Sequence, residues 1–200
     1  MNLVIPEPSL VVLIGASGSG KSTFAKKHFQ PTEIVSSDRC RALISDDEND
    51  QSVTPEAFEL LHLIVSRRLW KRRLTVVDAT NVQSRSRRML LDIARKYAMP
   101  AVAVAFDLAE STCLANNARR LERVVPVQVI VTQSQELRTS LAQLGEEGFA
   151  AVYVLRDSNE VDQAAIIRQG PTVYRSDDFR ATEDRRPNWL RKLLRTLRSR

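Results

Sequence analysis

The chain has 200 residues, 43% of them hydrophobic, and a formal net charge of +6, which suits one compact domain or one domain with a tail. No apolar run approaches the roughly 18 residues of a membrane-spanning helix, residues 1–8 lack the basic and apolar regions of a signal peptide, and two distant cysteines, Cys40 and Cys113, predict a reduced, cytoplasmic setting. From Arg180 to Arg200 there are eight Lys/Arg and two Asp/Glu, while the preceding residues balance at 22 of each sign, so the high pI belongs to the tail and does not make the core a nucleic-acid binder.

In chain order, Leu10-Val11-Val12-Leu13-Ile14 is a continuous apolar run and predicts a buried parallel strand. Gly15-Ala16-Ser17-Gly18-Ser19-Gly20-Lys21-Ser22 follows and fits G-x-x-x-x-G-K-[ST], the phosphate-binding P-loop. Thr23 and the residues after it open a helix, so the motif has the strand–loop–helix context it requires. The glycines let successive N–H groups point inward, and the helix N-terminus adds unpaired donors and partial positive charge. Lys21 can reach the β- and γ-phosphates of a nucleotide, and Ser22 offers a hydroxyl to a bridging Mg²⁺. Gly15, Ser17, Gly18, Ser19, Gly20, Lys21, Ser22 and Thr23 are therefore the expected nucleotide contacts.

Pro31 ends this helix. A second strand spans residues 33–36, and a short helix follows through residue 44. Asp38 and Arg41 sit at that strand's carboxyl end, where open parallel sheets bind ligands. A carboxylate there could accept the proton of an attacking hydroxyl, and an arginine one turn on could hold a phosphate on the acceptor. An ordinary i,i+3 surface pair is the alternative. Residues 46–50 form an acidic loop ending at Gln51, and Thr54-Pro55-Glu56 starts a helix to residue 73, with Thr54 as N-cap. Residues 74–78 form a buried strand ending in Asp78, either a Walker-B-type Mg²⁺ ligand or an acid capping a turn. Asn81 could bind substrate or cap the same turn. A helix spans residues 84–97, whose Arg85, Arg87 and Arg88 could touch a phosphate backbone but read first as a solvated face. A strand spans 101–106. The next helix, residues 110–123, carries Arg119, Arg120 and Arg123, either a lid over the donor phosphates or a solvated basic face. A helix over 127–144 and a strand over 151–155 complete the α/β alternation, which predicts a parallel sheet of about five strands. His28 and His62 read as structural or exposed. After Asp157 the periodicity weakens, so residues 158–200 are expected to be linker and tail, with a basic amphipathic helix at 189–197.

The segments Ser9–Phe29, Ser36–Arg41, Ser45–Gln51, Leu74–Val82 and Arg119–Arg123 together resemble the 5′-OH polynucleotide kinase domain of bacterial polynucleotide kinase-phosphatases, a family that heals RNA ends. The P-loop is shared by many NTPases; the acidic loop with Ser-Ser-Asp-Arg-Cys-Arg is more specific. The resemblance covers about three quarters of the chain. It implies a P-loop NTPase kinase fold with flanking helices and a helical lid, residues 1–157 forming the kinase domain. It implies transfer of the γ-phosphate of ATP or another NTP, with Mg²⁺, to a 5′-OH RNA or DNA end. Carried over by position, Asp38 would be the general base and Arg41 would grip the phosphate after the terminal nucleoside. Arg120 and Arg123 would touch the donor phosphates, while Gln51 and Val129 would pack the terminal nucleoside. The family tends to carry an arginine one turn before Arg120, where this sequence has Asn116. It also continues into phosphatase and ligase-like domains, so the expectation here is either a free-standing kinase or repair partners on separate chains, and a homodimer is an arrangement to test. A P-loop kinase of a small metabolite or aminoacyl-tRNA, and a nucleotide-dependent adaptor without turnover, are the competing readings.

Overall fold

The computed structural model describes residues 1–120 and 124–170, and its compact unit runs from Met1 to Gly170. The expected tail helix and Arg123 lie outside the described residues. The elements are β1 (Asn2–Pro6), β2 (Leu10–Gly15), α1 (Lys21–His28), β3 (Ile34–Ser36), α2 (Ser37–Ser45), α3 (Thr54–Trp70), β4 (Thr75–Asp78), α4 (Ser84–Lys96), β5 (Ala101–Phe106), α5 (Glu110–Ala118), α6 (Val127–Leu141), β6 (Ala151–Leu155), α7 (Ser158–Gln163) and β7 (Ala165–Gln169). The main sheet has five parallel strands in the order β3-β4-β2-β5-β6. This is the five-stranded, helix-flanked P-loop kinase fold that the sequence predicts.

The apolar run of β2 is central because both its faces are covered. Leu10, Val12 and Ile14 pack with Leu61 and Val65 of α3 and Leu90 of α4. Val11 and Leu13 pack with Phe24 of α1, Val104 of β5 and Leu155 of β6. All five β2 side chains are fully buried, each worth about 1.5–3 kcal/mol. β2 lies between β4 and β5, so the chain departs to opposite sides of it. That reversal opens a crevice at the carboxyl ends, where ligands of such sheets bind.

The segment after Asp157 is not linker throughout. β7 pairs in parallel with β1, from Asn2 opposite Ala165 to Pro6 opposite Gln169, as a separate two-stranded sheet. Leu3 and Ile5 bury beneath it, the Tyr153 hydroxyl accepts from Val4 N at 3.0 Å and donates to Val4 O at 3.1 Å, and Arg168 reaches both carboxylate oxygens of Glu33 at 2.9 and 2.8 Å. Among the described residues no helix is long and apolar enough to cross a membrane.

Candidate active site

The P-loop is rooted at the carboxyl end of β2. Gly15 N donates to Thr80 O at 2.8 Å, which ties the loop to the exit of β4. Asn81 reinforces the tie. It is buried, holds a positive φ of 48°, and its Nδ2 donates to Leu13 O at 2.8 Å and Ala79 O at 3.4 Å. Its side chain therefore caps the turn and staples two strand ends; the substrate-binding role expected for it is not what this geometry provides. Gly20 caps α1 in the left-handed region at φ 91°, and α1 has neither a side-chain cap bond nor an acid in its first turn. Its first turn thus supplies no capping side chain and no acid of its own, so its N-terminal donors are suited to receive phosphate.

Two flanking helices press on the loop. A Cβ at Gly18, which has φ +83°, would stand 2.2 Å from the Cys113 carbonyl of α5. Asn116 Nδ2 donates to Gly18 O at 2.9 Å, and Ser17 N donates to Gln133 Oε1 of α6 at 2.8 Å. Asn116, the departure from the resembled family, is thus a brace for the loop. Gly18→Ala should lower the thermal midpoint by an amount equivalent to about 1–3 kcal/mol, since it combines left-handed backbone strain with a clash against backbone; an unchanged midpoint in calorimetry would mean that α5 yields without cost.

Lys21 is 7% exposed. Its Nζ donates to Ala16 O at 2.7 Å and to Ser19 Oγ at 3.2 Å. Burial lowers its pKa to about 8, against the upward pull of Asp78, Cys113 and Asp38, while Arg120 pushes the same way as burial. The ammonium therefore shares one field with Asp78, Asp38 and Arg120. Asp78 is buried, and burial raises its pKa although Lys21 and a hydrogen bond from Ser22 oppose the rise. A hydroxyl joined to a carboxylate at the foot of a phosphate cradle is the sparse oxygen set that Mg²⁺ uses alongside substrate phosphates, so Ser22 and Asp78 fit that ion.

Asp38 and Arg41 are brought together at the start of α2, where Ser36 Oγ caps the helix by accepting from Arg39 N. Arg41 Nη1 donates to Asp38 Oδ1 at 2.5 Å; the Arg41 side chain is 7% exposed and that of Asp38 37%. Arg41 Nε donates to Thr54 Oγ1 at 3.3 Å, Thr54 donates to Gln51 Oε1 at 3.5 Å, and Gln51 Nε2 donates to Asn49 O at 3.1 Å. Thr54 is thus the first helical residue, not the cap: Val53 holds that position, and the threonine hydroxyl positions Arg41. The chain of bonds joins Asp38, Arg41 and Gln51 into one wall.

The lid region differs from expectation. α5 ends at Ala118, and the buried Asn117 accepts from Val125 N at 3.0 Å and donates to Val125 O at 2.8 Å. Arg119 and Arg120 are exposed just beyond the helix. Val129 is 41% exposed near the start of α6. Arg87 is not on a solvated face. It is fully buried, bonds both carboxylate oxygens of Glu147, and donates to Asn81 O at 2.9 Å and Val82 O at 2.8 Å, bracing the turn behind the P-loop. His28 packs on Phe24 with ring centroids 4.5 Å apart, and His62 on Phe58 at 6.1 Å, both structural.

A family profile described as an AAA domain matches residues 10–144, more than half the chain. Among solved structures, one chain of the Pnkp1/Rnl/Hen1 RNA repair complex is 24% identical with a TM-score of 0.58; the match covers 70% of this chain and 47% of that one. A putative kinase from Chloroflexus aurantiacus J-10-fl is 11% identical with a TM-score of 0.52, over 75% of this chain and 88% of that one. A chain of the AvrRxo1-ORF1:ORF2 complex is 13% identical with a TM-score of 0.59, over 75% and 55%. These likenesses are of fold, and the chain spans about half the length of the repair-complex chain. No curated protein matches by sequence.

Proposed function

The chain belongs to the AAA-domain family, with a P-loop kinase-like fold, and from that premise we propose that it transfers the γ-phosphate of ATP or another NTP to the 5′-OH end of RNA or DNA. The observation that carries this reading is the Asp38–Arg41 pair, ordered by Thr54 and Gln51 and lying within the electrostatic field of Lys21. The similarity of fold to a chain of an RNA repair complex supports the same acceptor class.

In this reading the P-loop amides and Lys21 hold the donor phosphates. Asp38 takes the proton from the acceptor hydroxyl as its oxygen bonds to the γ-phosphorus. The bond from that phosphorus to the β–γ bridging oxygen breaks, and the nucleoside diphosphate leaves. Arg41 orients Asp38 through Nη1, and its remaining nitrogen, Nη2, would donate to a phosphate already on the acceptor. Arg120 adds positive charge on the donor side, and Arg123 would join it. Gln51 and Val129 are the proposed walls for the terminal nucleoside. Mg²⁺, held by Ser22 and Asp78 with the phosphates, would neutralise charge on the transferring group.

The test is transfer of label from γ-labelled ATP to short 5′-OH RNA and DNA oligonucleotides, with hydroxylated small metabolites as parallel acceptors. Label on the 5′ end supports the reading. Label on small acceptors alone would assign a metabolite kinase, and nucleotide binding without transfer to either would favour a nucleotide-dependent adaptor. Arg41→Ala should raise KM for a 5′-OH oligonucleotide by about 10–100-fold through loss of a charge-assisted contact, with a smaller effect on KM for ATP. Equal effects on donor and acceptor would remove Arg41 from the acceptor site.

A further inference from the structure

Gln133 is a half-buried residue of α6 that enters none of the roles above. Its Oε1 accepts from Ser17 N at 2.8 Å, which fixes the orientation of the carboxamide. Among the described residues none accepts from its Nε2. The contact falls at a particular stretch of the loop. Lys21 Nζ rests between Ala16 O and Ser19 Oγ, and a P-loop lysine is the group that meets the β- and γ-phosphates. Ser17 lies in sequence between those two contacts, so Gln133 meets the stretch of loop on which the lysine rests. A carboxamide held by its oxygen turns its two N–H donors the other way. Asn116 is a useful contrast: it donates to Gly18 O, so its donor half is already engaged by the loop.

We propose that Gln133 is a donor-phosphate-binding residue that tells a nucleoside triphosphate from a diphosphate, its Nε2 donating to the terminal phosphate while Ser17 N–H holds its oxygen. This rests on the P-loop being the donor site, as argued above. It also gives α6 a direct part in sensing the donor: a triphosphate would bridge the loop and the helix, and a diphosphate would not.

The experiment is calorimetric titration of wild type, Gln133→Ala, Gln133→Glu and Asn116→Ala with Mg-ADP and with a non-hydrolysable β,γ-imido ATP analogue. Gln133→Ala also removes the bond to Ser17 N–H, so it should weaken both nucleotides somewhat, and the triphosphate analogue by about 10–100-fold more than ADP, the worth of one hydrogen bond to a charged group. Gln133→Glu keeps an acceptor for Ser17 N–H, and with it the loop brace, but sets a carboxylate against the phosphate; its loss should be larger and confined to the triphosphate. Asn116→Ala should weaken both nucleotides alike. Equal losses for ADP and the analogue in both Gln133 variants, or no loss, would make Gln133 a loop brace and overturn the proposal. Triphosphate selectivity without transfer to 5′-OH ends would overturn the acceptor assignment and uphold this one, whereas transfer with no selective loss would do the reverse. Wild type that binds neither nucleotide overturns both.

Discussion

Asp38→Asn should lower kcat for phosphate transfer by about 10²–10⁴-fold, the usual worth of a positioned general base, and leave the affinity for ATP close to wild type. Asparagine keeps the shape of the side chain and an oxygen for Arg41 Nη1, so the Asp38–Arg41–Thr54 wall should persist. What it loses is the negative charge that can take up a proton. The Asp38 side chain is 37% exposed but that of Arg41 only 7%, so losing the charge leaves a buried guanidinium less well paired and should cost some stability; the thermal midpoint of the variant, kept above the assay temperature, separates a fall in kcat from unfolding. Unchanged kcat with a slightly lowered thermal midpoint is the signature of an ordinary i,i+3 surface pair, and it would remove Asp38 from the chemistry.

The parts of this site that were legible in the sequence are those set by local spacing. The loop and its flanking elements are contiguous, and Asp38 and Arg41 share a helix turn, so the three-residue interval already places them side by side. The parts that were not legible depend on partners far along the chain. Arg87 sits in a Ser-Arg-Ser-Arg-Arg run that looks solvated, and only Glu147, sixty residues on, makes its burial tenable. β1 and β7 come from opposite ends of the compact unit, and neither has the long apolar run that announced β2 and β5; β1 even ends in a proline. Asn81 shows the limit of reasoning from residue type: an asparagine after a strand suits a ligand as well as a left-handed turn, and only its bonds to Leu13 and Ala79 decide between them. The pairing of Asn117 with Val125 has the same origin, since it exists only once Val125 is brought beside it.

Lys21→Met should reduce kcat/KM for transfer by at least about 10²-fold, by analogy with loss of one preorganised electrostatic donor, and it should also erase two pH dependences. Burial holds the wild-type ammonium at a pKa of about 8 against an ordinary 10.5. Donor phosphates set beside it favour the charged form and raise that pKa. Above pH 8 nucleotide binding must therefore take up a proton, so wild-type affinity for ATP should fall as pH rises through 8. Calorimetry in buffers of different ionisation enthalpy would register the proton directly. Folding follows the opposite slope. Between about pH 8 and 10.5 the unfolded chain keeps the Lys21 proton and the folded chain has lost it. The unfolded state then binds more protons, and the stability of the nucleotide-free protein rises with pH across that window, by roughly 3 kcal/mol in the limit of full separation. Methionine fills the buried path of the lysine stem but cannot titrate, so the variant should show a flat stability in this window and a flat affinity for ATP. A variant that kept either slope would place the titrating group elsewhere. A wild type with no slope in either would mean that Lys21 titrates as an ordinary lysine, and that its contacts to Ala16 and Ser19 do not describe the nucleotide-free loop in solution. The two slopes have one cause, a charge held out of water in advance of its ligand, which the phosphates of the donor then compensate.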